Sequence, residues 1–420
     1  MKRRALAVIS ICAAAIFAFS AVTTEANAQT PKVEAAQKSK RLAVFLDGTW
    51  NAVDSNTNVW RMKALCAKTG NDGKPQLAYY EIGVNGVLGG GFGKGLDENI
   101  RSAYEWLIEN YEDGDEIFIL GFSRGAFTAR SLAGLVTKLG ILKPGSPVGV
   151  AQLYGRYKHT DEQTIWELHE QQDNGTLNAT LEERMLLKYS QPAKIKVVAV
   201  WDTVGALGIP AFSVEGVSRS TFGFLHTGLR VHLQNGYHAL AIDEHRQDFA
   251  PTLWDVRRPN NPNEARAAAR PITSVEQRWF VGAHANVGGG YSSDLLAQIP
   301  LRWIMKKTSL HGLTFRNDVD IDGDVVAASI TDSYKDFARG AYAKFYKPHF
   351  RPIGEEPDIR EDGAHANVNE SIDQSVFDRW RAVPDYRPAN LAEWATRKKV
   401  DPARLFNSVR ADDPAVVAPD

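Results

Sequence analysis

The sequence predicts an α/β fold, built on a mostly parallel sheet with helices on both faces and with helical and loop insertions forming a cap. Three observations carry this. Runs of Val, Ile, Leu and Phe such as "RLAVFL" (41–46), "EIFIL" (116–120) and "KVVAVW" (196–201) lack polar alternation. Strands covered on both faces read this way. Helical stretches such as "LDENIRSAYEWLIENY" (96–111) lie between them, as βαβ units require. The chain has 420 residues, 44% of them hydrophobic, which is enough for one large core or two medium ones.

Taken in order, the first strand is "RLAVFLDGTW" (41–50), closed by a turn at Asp47 and Gly48. The second is "LAYYEIGV" (77–84) and the third "DEIFILGFS" (115–123). The fourth, "KIKVVAVWDTVG" (194–205), ends in a polar turn. The fifth, "EQRWFVGAHANVGGG" (276–290), ends in small residues and glycines. Two insertions interrupt the alternation. Residues 141–193 read as polar helices that form a cap, and 206–235, rich in Gly, Ser and Phe, read as either a lid or a connecting loop. The main domain spans 41–391 and a tail spans 392–420. "HANV" occurs at 284–287 and 365–368, but only the first copy follows a strand-like run and precedes glycines.

The first 28 residues have a different character. Lys2, Arg3 and Arg4 precede an apolar run, and "ANA" (26–28) closes it as a small-x-small cleavage signal. This is the pattern of a secretory signal peptide, followed by a flexible leader at 29–40, and it implies a periplasmic or secreted protein. Past it only Cys66 remains of the two cysteines, so no disulfide forms within the mature chain. The net charge of −1 argues against a nucleic-acid partner. No H-E-x-x-H or cysteine cluster calls for a metal, and "GGGFGKG" (89–95) lacks phosphate-loop spacing, so no cofactor is expected.

Chemistry concentrates in G-x-S-x-G, filled by Gly121, Ser123 and Gly125. A nucleophile elbow needs a strand, a sharp turn and a helix, with small neighbours around the serine. "EIFIL" and "AFTARSLAGLV" supply the strand and the helix. The competing reading is a serine that only caps that helix. A nucleophilic serine needs a histidine base oriented by a carboxylate. In α/β-hydrolases the acid and then the histidine follow the serine in the chain. Asp202 and His284, both at strand ends, fit that order, with Asp243 as a rival acid. The oxyanion donors expected are the backbone N–H of Arg124 and one from Gly48 or Thr49. Asp47 either orients that loop or the active-site water, or caps the turn.

"LAVFLDGTWN", "GDEIFILGFSRGAFTAR", "VVAVWDTVGALG", "HALAIDEHRQDFAPTLW" and "RWFVGAHANVGGGY" follow one another in this order. Together they resemble a domain-of-unknown-function family of α/β-hydrolases that includes type VI secretion phospholipase effectors. The resemblance runs from about residue 41 to "YRPANL" (386–391). It implies a serine hydrolase with Ser123, Asp202 and His284 as its triad, cleaving acyl esters of phospholipids. Asn286 stands where such relatives often carry Asp. The expected partners are therefore a small-molecule or lipid ester and a membrane surface. An esterase for polyesters or acylated sugars, and a binding protein that keeps the fold without catalysis, are the alternatives. The export signal points to a resident exported enzyme.

Overall fold

The computed structural model describes residues 39–49, 51–83, 92–159, 162–205, 232–258, 270–292, 294–321, 323–360 and 363–412. The expected signal peptide, nearly all of the leader, most of 206–235, the start of "GGGFGKG" and the end of the tail lie outside them.

The first half holds β1 (Arg41–Leu46), α1 (Asn58–Leu65), β2 (Gln76–Glu81), α2 (Phe92–Asn110), β3 (Glu116–Phe122) and α3 (Arg124–Leu139). A helical excursion follows, with β4 (Ile141–Leu142), α4 (Val150–Tyr157), α5 (Ile165–Asp173), α6 (Leu181–Tyr189) and β5 (Ser190–Gln191). The sheet resumes with β6 (Ile195–Trp201), β7 (Leu233–Ala241), β8 (Asp255–Arg258) and β9 (Val275–Phe280), then α7 (His284–Gly288) and α8 (Gln298–Ser309). The C-terminal part adds α9 (Ser333–Asp336), α10 (Tyr342–Phe345), β10 (Asp358–Arg360), β11 (Gly363–Asn367), β12 (Glu370–Ile372), α11 (Gln374–Ala382), α12 (Ala389–Lys398) and β13 (Val409–Arg410).

Eight strands form the main sheet in the order β13-β12-β9-β7-β6-β3-β1-β2. Every neighbouring pair is parallel except β12 with β13. The mostly parallel α/β architecture is thus the one the sequence implies. From β1 the chain first builds outward to β2, then returns to place β3 on the other side of β1. Strand order therefore reverses between β1 and β3, and in open α/β sheets a cleft opens there, beyond the carboxyl ends of the strands.

Alternate residues of each strand feed two apolar layers. Leu42, Val44, Ile117 and Ile119 join one face, and Ala43, Phe45, Phe118 and Leu120 join the other. Helices α2 and α3 cover the first face, while α1 and α8 cover the second. A third cluster, with Trp279, Ile372, Phe377 and Trp394, ties β9 and β12 to α11 and α12.

Three segments take structures that the sequence leaves unspecified. The helices of 141–193, expected as a cap, pack on the α2–α3 layer: Leu153, Tyr157, Ile165 and Leu186 belong to the same apolar cluster as Leu42 and Ile119. Trp166 Nε1 donates to the Thr137 carbonyl of α3 at 3.0 Å. Residues 233–241, whose first three fall in the expected insertion 206–235, form the buried strand β7. The two "HANV" copies take different structures, the first in α7 and the second in β11. The same four residues follow their tertiary surroundings, which override local propensity.

Candidate active site

β3 ends at Phe122 and α3 begins at Arg124, so Ser123 is the whole turn. Its φ of 58° and ψ of −121° are costly for a residue with a Cβ. Its N–H donates to the Trp201 carbonyl of the neighbouring β6 at 3.0 Å, which helps hold it there. The glycines on either side have no room for side chains. A Cβ on Gly121 would overlap the Gly125 carbonyl, and one on Gly125 would overlap the carbonyl oxygens of Leu46 and Asp47. Ser123 makes no side-chain cap to α3. Its Oγ lies 2.8 Å from His284 Nε2, so the helix-cap reading fails.

His284 opens α7, after β9 and after Gly282, whose φ of 112° favours glycine. Its Nδ1 lies 2.5 Å from Asp202 Oδ2. A carboxylate only accepts, so Nδ1 carries the hydrogen and Nε2 is left to accept from Ser123. The imidazole packs between the rings of Phe122 and Phe249, at 4.7 and 5.1 Å between centroids. Burial pushes its pKa below the ordinary histidine value, against the pull of Asp202, so the ring is neutral near pH 7. Asp202 follows β6 at φ 39° and is fully buried. Burial alone would raise its pKa, but Arg351 and His284 outweigh it and hold the carboxyl well below the usual carboxylate range.

The remaining predicted residues separate into distinct tasks. Asp47 accepts from Gly48 N–H at 2.8 Å, Thr57 Oγ1 at 2.7 Å and Tyr80 hydroxyl at 2.8 Å, so its side chain organises the loop after β1. Gly48, expected as an oxyanion donor, therefore spends its N–H on Asp47. Its service is closeness: a Cβ there would stand 3.3 Å from Ser123 Cβ. Thr49 is buried in the same loop, and its hydroxyl finds no hydrogen-bond partner among the described residues. Arg124 sets its backbone N–H at the start of α3, beside Ser123, and its buried guanidinium is pushed down to about 10 by burial and by Arg246. Asp243 does not meet His284. It accepts from Gly282 N–H at 2.7 Å and the Tyr386 hydroxyl at 3.1 Å, fixing the start of the histidine loop. Asn286 accepts from the N–H groups of Ala283 and Thr331 and donates to Asp294 Oδ2 at 3.1 Å, tying that loop on three sides.

Sequence reasoning missed several neighbours. Glu244 accepts from Arg246 and from Ser333 Oγ at 2.8 Å, and from the His284 N–H at 3.2 Å. "IDEHRQDF" showed both charges but no spacing rule gave them a role. His238 Nε2 accepts from Thr203 N–H at 3.0 Å, beside Asp202. Arg351 grips Asp202 from a stretch, "PHFRPIG", that carries no motif. Among the described residues no group of three or more His, Cys, Asp or Glu side chains is arranged to hold a metal ion.

A neutral imidazole between a serine hydroxyl and a buried carboxylate can take the hydroxyl proton and return it to a leaving group. Several known proteins are similar to this chain. An uncharacterised protein of Saccharomyces cerevisiae is 28% identical over 194 residues, covering 40% of this chain and 27% of its own length. An uncharacterised protein from Pseudomonas aeruginosa is 16% identical with a TM-score of 0.37, covering 66% of this chain and 46% of its own. The Tle1 effector solved with the VgrG spike of the type VI secretion system is also 16% identical, with a TM-score of 0.31, covering 61% of this chain and 52% of its own. This chain thus spans about half of each solved protein and about a quarter of the yeast one. The catalytic-domain description of the Tle1-like phospholipase effectors of type VI secretion matches residues 40–307, more than half of the chain, and it is to this family that the chain belongs.

Proposed function

We propose that the protein is an exported serine carboxyl-ester hydrolase that acts on lipid esters through an acyl-enzyme. One observation carries the reading: the unbroken contact series Ser123 Oγ, His284 Nε2, His284 Nδ1 and Asp202 Oδ2, at 2.8 and 2.5 Å, on a turn with φ 58°. Ser123 Oγ attacks the acyl carbonyl as its proton passes to Nε2. The imidazolium that forms keeps its Nδ1–H on Asp202. The oxyanion takes hydrogen bonds from the Arg124 N–H and from Thr49 in the loop that Asp47 organises. Collapse breaks the ester, and Nε2 returns the proton to the departing alcohol. Water, deprotonated by the same nitrogen, then releases the acid and regenerates Ser123. Family membership favours a phospholipid as the ester. The charged start and apolar run before "ANA" support export to the periplasm or beyond.

The test is a panel of phospholipids, short soluble esters and acetylated glycans, with fluorophosphonate labelling alongside. Ser123→Ala is expected to lose labelling and at least about a thousandfold in acyl-ester turnover while melting normally. Undiminished hydrolysis by this variant would overturn the mechanism. Turnover of glycans with none of lipids would overturn the substrate class.

A further inference from the structure

Arg351 lies beyond residue 307, where the family match ends, and its side chain is fully buried. Its guanidinium donates to both oxygens of Asp202, at 2.7 and 3.0 Å. Two further bonds go to the carbonyls of Ala241, at 2.7 Å, and Phe249, at 2.5 Å. The backbone is anchored as well, since Asn390 of α12 donates to the Arg351 carbonyl at 3.1 Å. A buried arginine held at this many points is a rigid fork.

Two consequences follow for the neighbouring histidine. The first is orientation. The terminal torsion of an aspartate is broad and roughly two-fold, so a lone carboxylate can rock. A bidentate guanidinium fixes its plane and leaves Oδ2 facing His284 Nδ1. The second is charge. Glu244 and Arg246 face His284 from the turn after β7, and Ser123, Phe122 and Phe249 are its uncharged neighbours. Arg351 also faces His238, Glu244 and His349. Asp202 and Glu244 are negative here, while Arg246, Arg351 and, beside Arg246, Arg124 are positive, so no excess of negative charge calls for a protonated His284. Without Arg351, an uncompensated buried carboxylate would draw a proton onto the imidazole.

We propose that Arg351 is a positioning residue: it fixes the carboxylate of Asp202 and sets the lower pH limit at which His284 stays a free base. This rests on the hydrolase reading above, and the experiment separates the two. Arg351→Gln and Arg351→Lys are made in the full chain, and folding is checked by thermal melting. The His284 imidazole is titrated by NMR, and kcat/KM for a soluble short-chain ester is followed against pH. Arg351→Gln is expected to raise the His284 midpoint and the acidic limb of kcat/KM together, by about one pH unit or more. Arg351→Lys keeps the charge but loses the fork. Its acidic limb is expected to stay in place while kcat falls about tenfold to a hundredfold with KM little changed. A Gln variant with an unmoved His284 midpoint overturns the charge role. If that variant does not fold, a Lys variant with wild-type kcat overturns the orienting role. A wild-type protein that hydrolyses nothing, yet whose His284 midpoint moves with Arg351, overturns the hydrolase reading and leaves the coupling standing.

Discussion

At position 286 an amide, in place of a carboxylate, changes how the histidine loop is held. The Asn286 amide nitrogen donates to Asp294 Oδ2 at 3.1 Å, while its oxygen accepts two backbone N–H groups. An aspartate would keep the acceptor and lose the donor, leaving two carboxylates in contact. Burial already raises the Asp294 pKa, so the pair would share a proton. Asn286→Asp is expected to destabilise the protein by about 1–3 kcal/mol at pH 8, with the loss shrinking toward pH 5. Chemical-denaturation midpoints across that range check it; a loss independent of pH would contradict the carboxylate account. Legibility also differs at this scale. Ser123, Asp202 and His284 stand out in the sequence because an elbow demands glycines and strand ends are visible as the close of an apolar run. Arg351 has no such grammar. It reaches Asp202 across 149 residues, and nothing local records that.

Between elements, His238 acts as a buried joint. It lies on β7, accepts from Thr203 after β6, and faces Gln277 Oε1 of β9 through Nδ1 at 3.3 Å. Gln277 in turn binds both Trp254 backbone groups and the Val368 carbonyl. Because Nε2 accepts, His238 must be neutral. Burial, with Arg130 adding, pushes its pKa down to about 3. The unfolded chain, titrating near 6.5, therefore binds this proton first. The stability it contributes is complete above about pH 6.5 and is lost as pH falls toward about 3, by about 1.4 kcal/mol per pH unit. Urea midpoints between pH 7.5 and 4.5 should fall more steeply for the wild type than for His238→Gln; equal slopes would remove His238 as the cause. β7 is hard to read in the sequence for the same reason it matters. Asn235, Tyr237 and His238 break its apolar run, and their polar atoms are satisfied by distant partners. β1, β3 and β6 carry few such groups and are plain. β12, three residues long, is too short to show any period.

Across the whole molecule, the residues after α8 complete the sheet and do more than wrap it. They supply β12, which pairs with β9, then β13 at the edge, and Arg351 within the site. A chain ending after Ser309 would leave β9 with an open edge, uncover Trp279 and strip Asp202 of its counter-charge. Such a truncation is expected to be aggregated and inactive, as read by size-exclusion chromatography and ester turnover. A monodisperse, active product would show the C-terminal part to be dispensable.

The contact between Arg351 and Asp202 has a bearing on time as well as on shape. Parallel pairing makes every strand wait for a crossover, and folding slows as contacts reach further along the chain. Ser123, Asp202, His284 and Arg351 enter the chain in that order, with the last supplied by the region that closes the sheet. A folding intermediate in which the segment around residue 351 has not yet docked already holds the serine, the acid and the histidine but not the clamp. Catalytic competence would then arrive late and abruptly in folding, when the C-terminal segment docks.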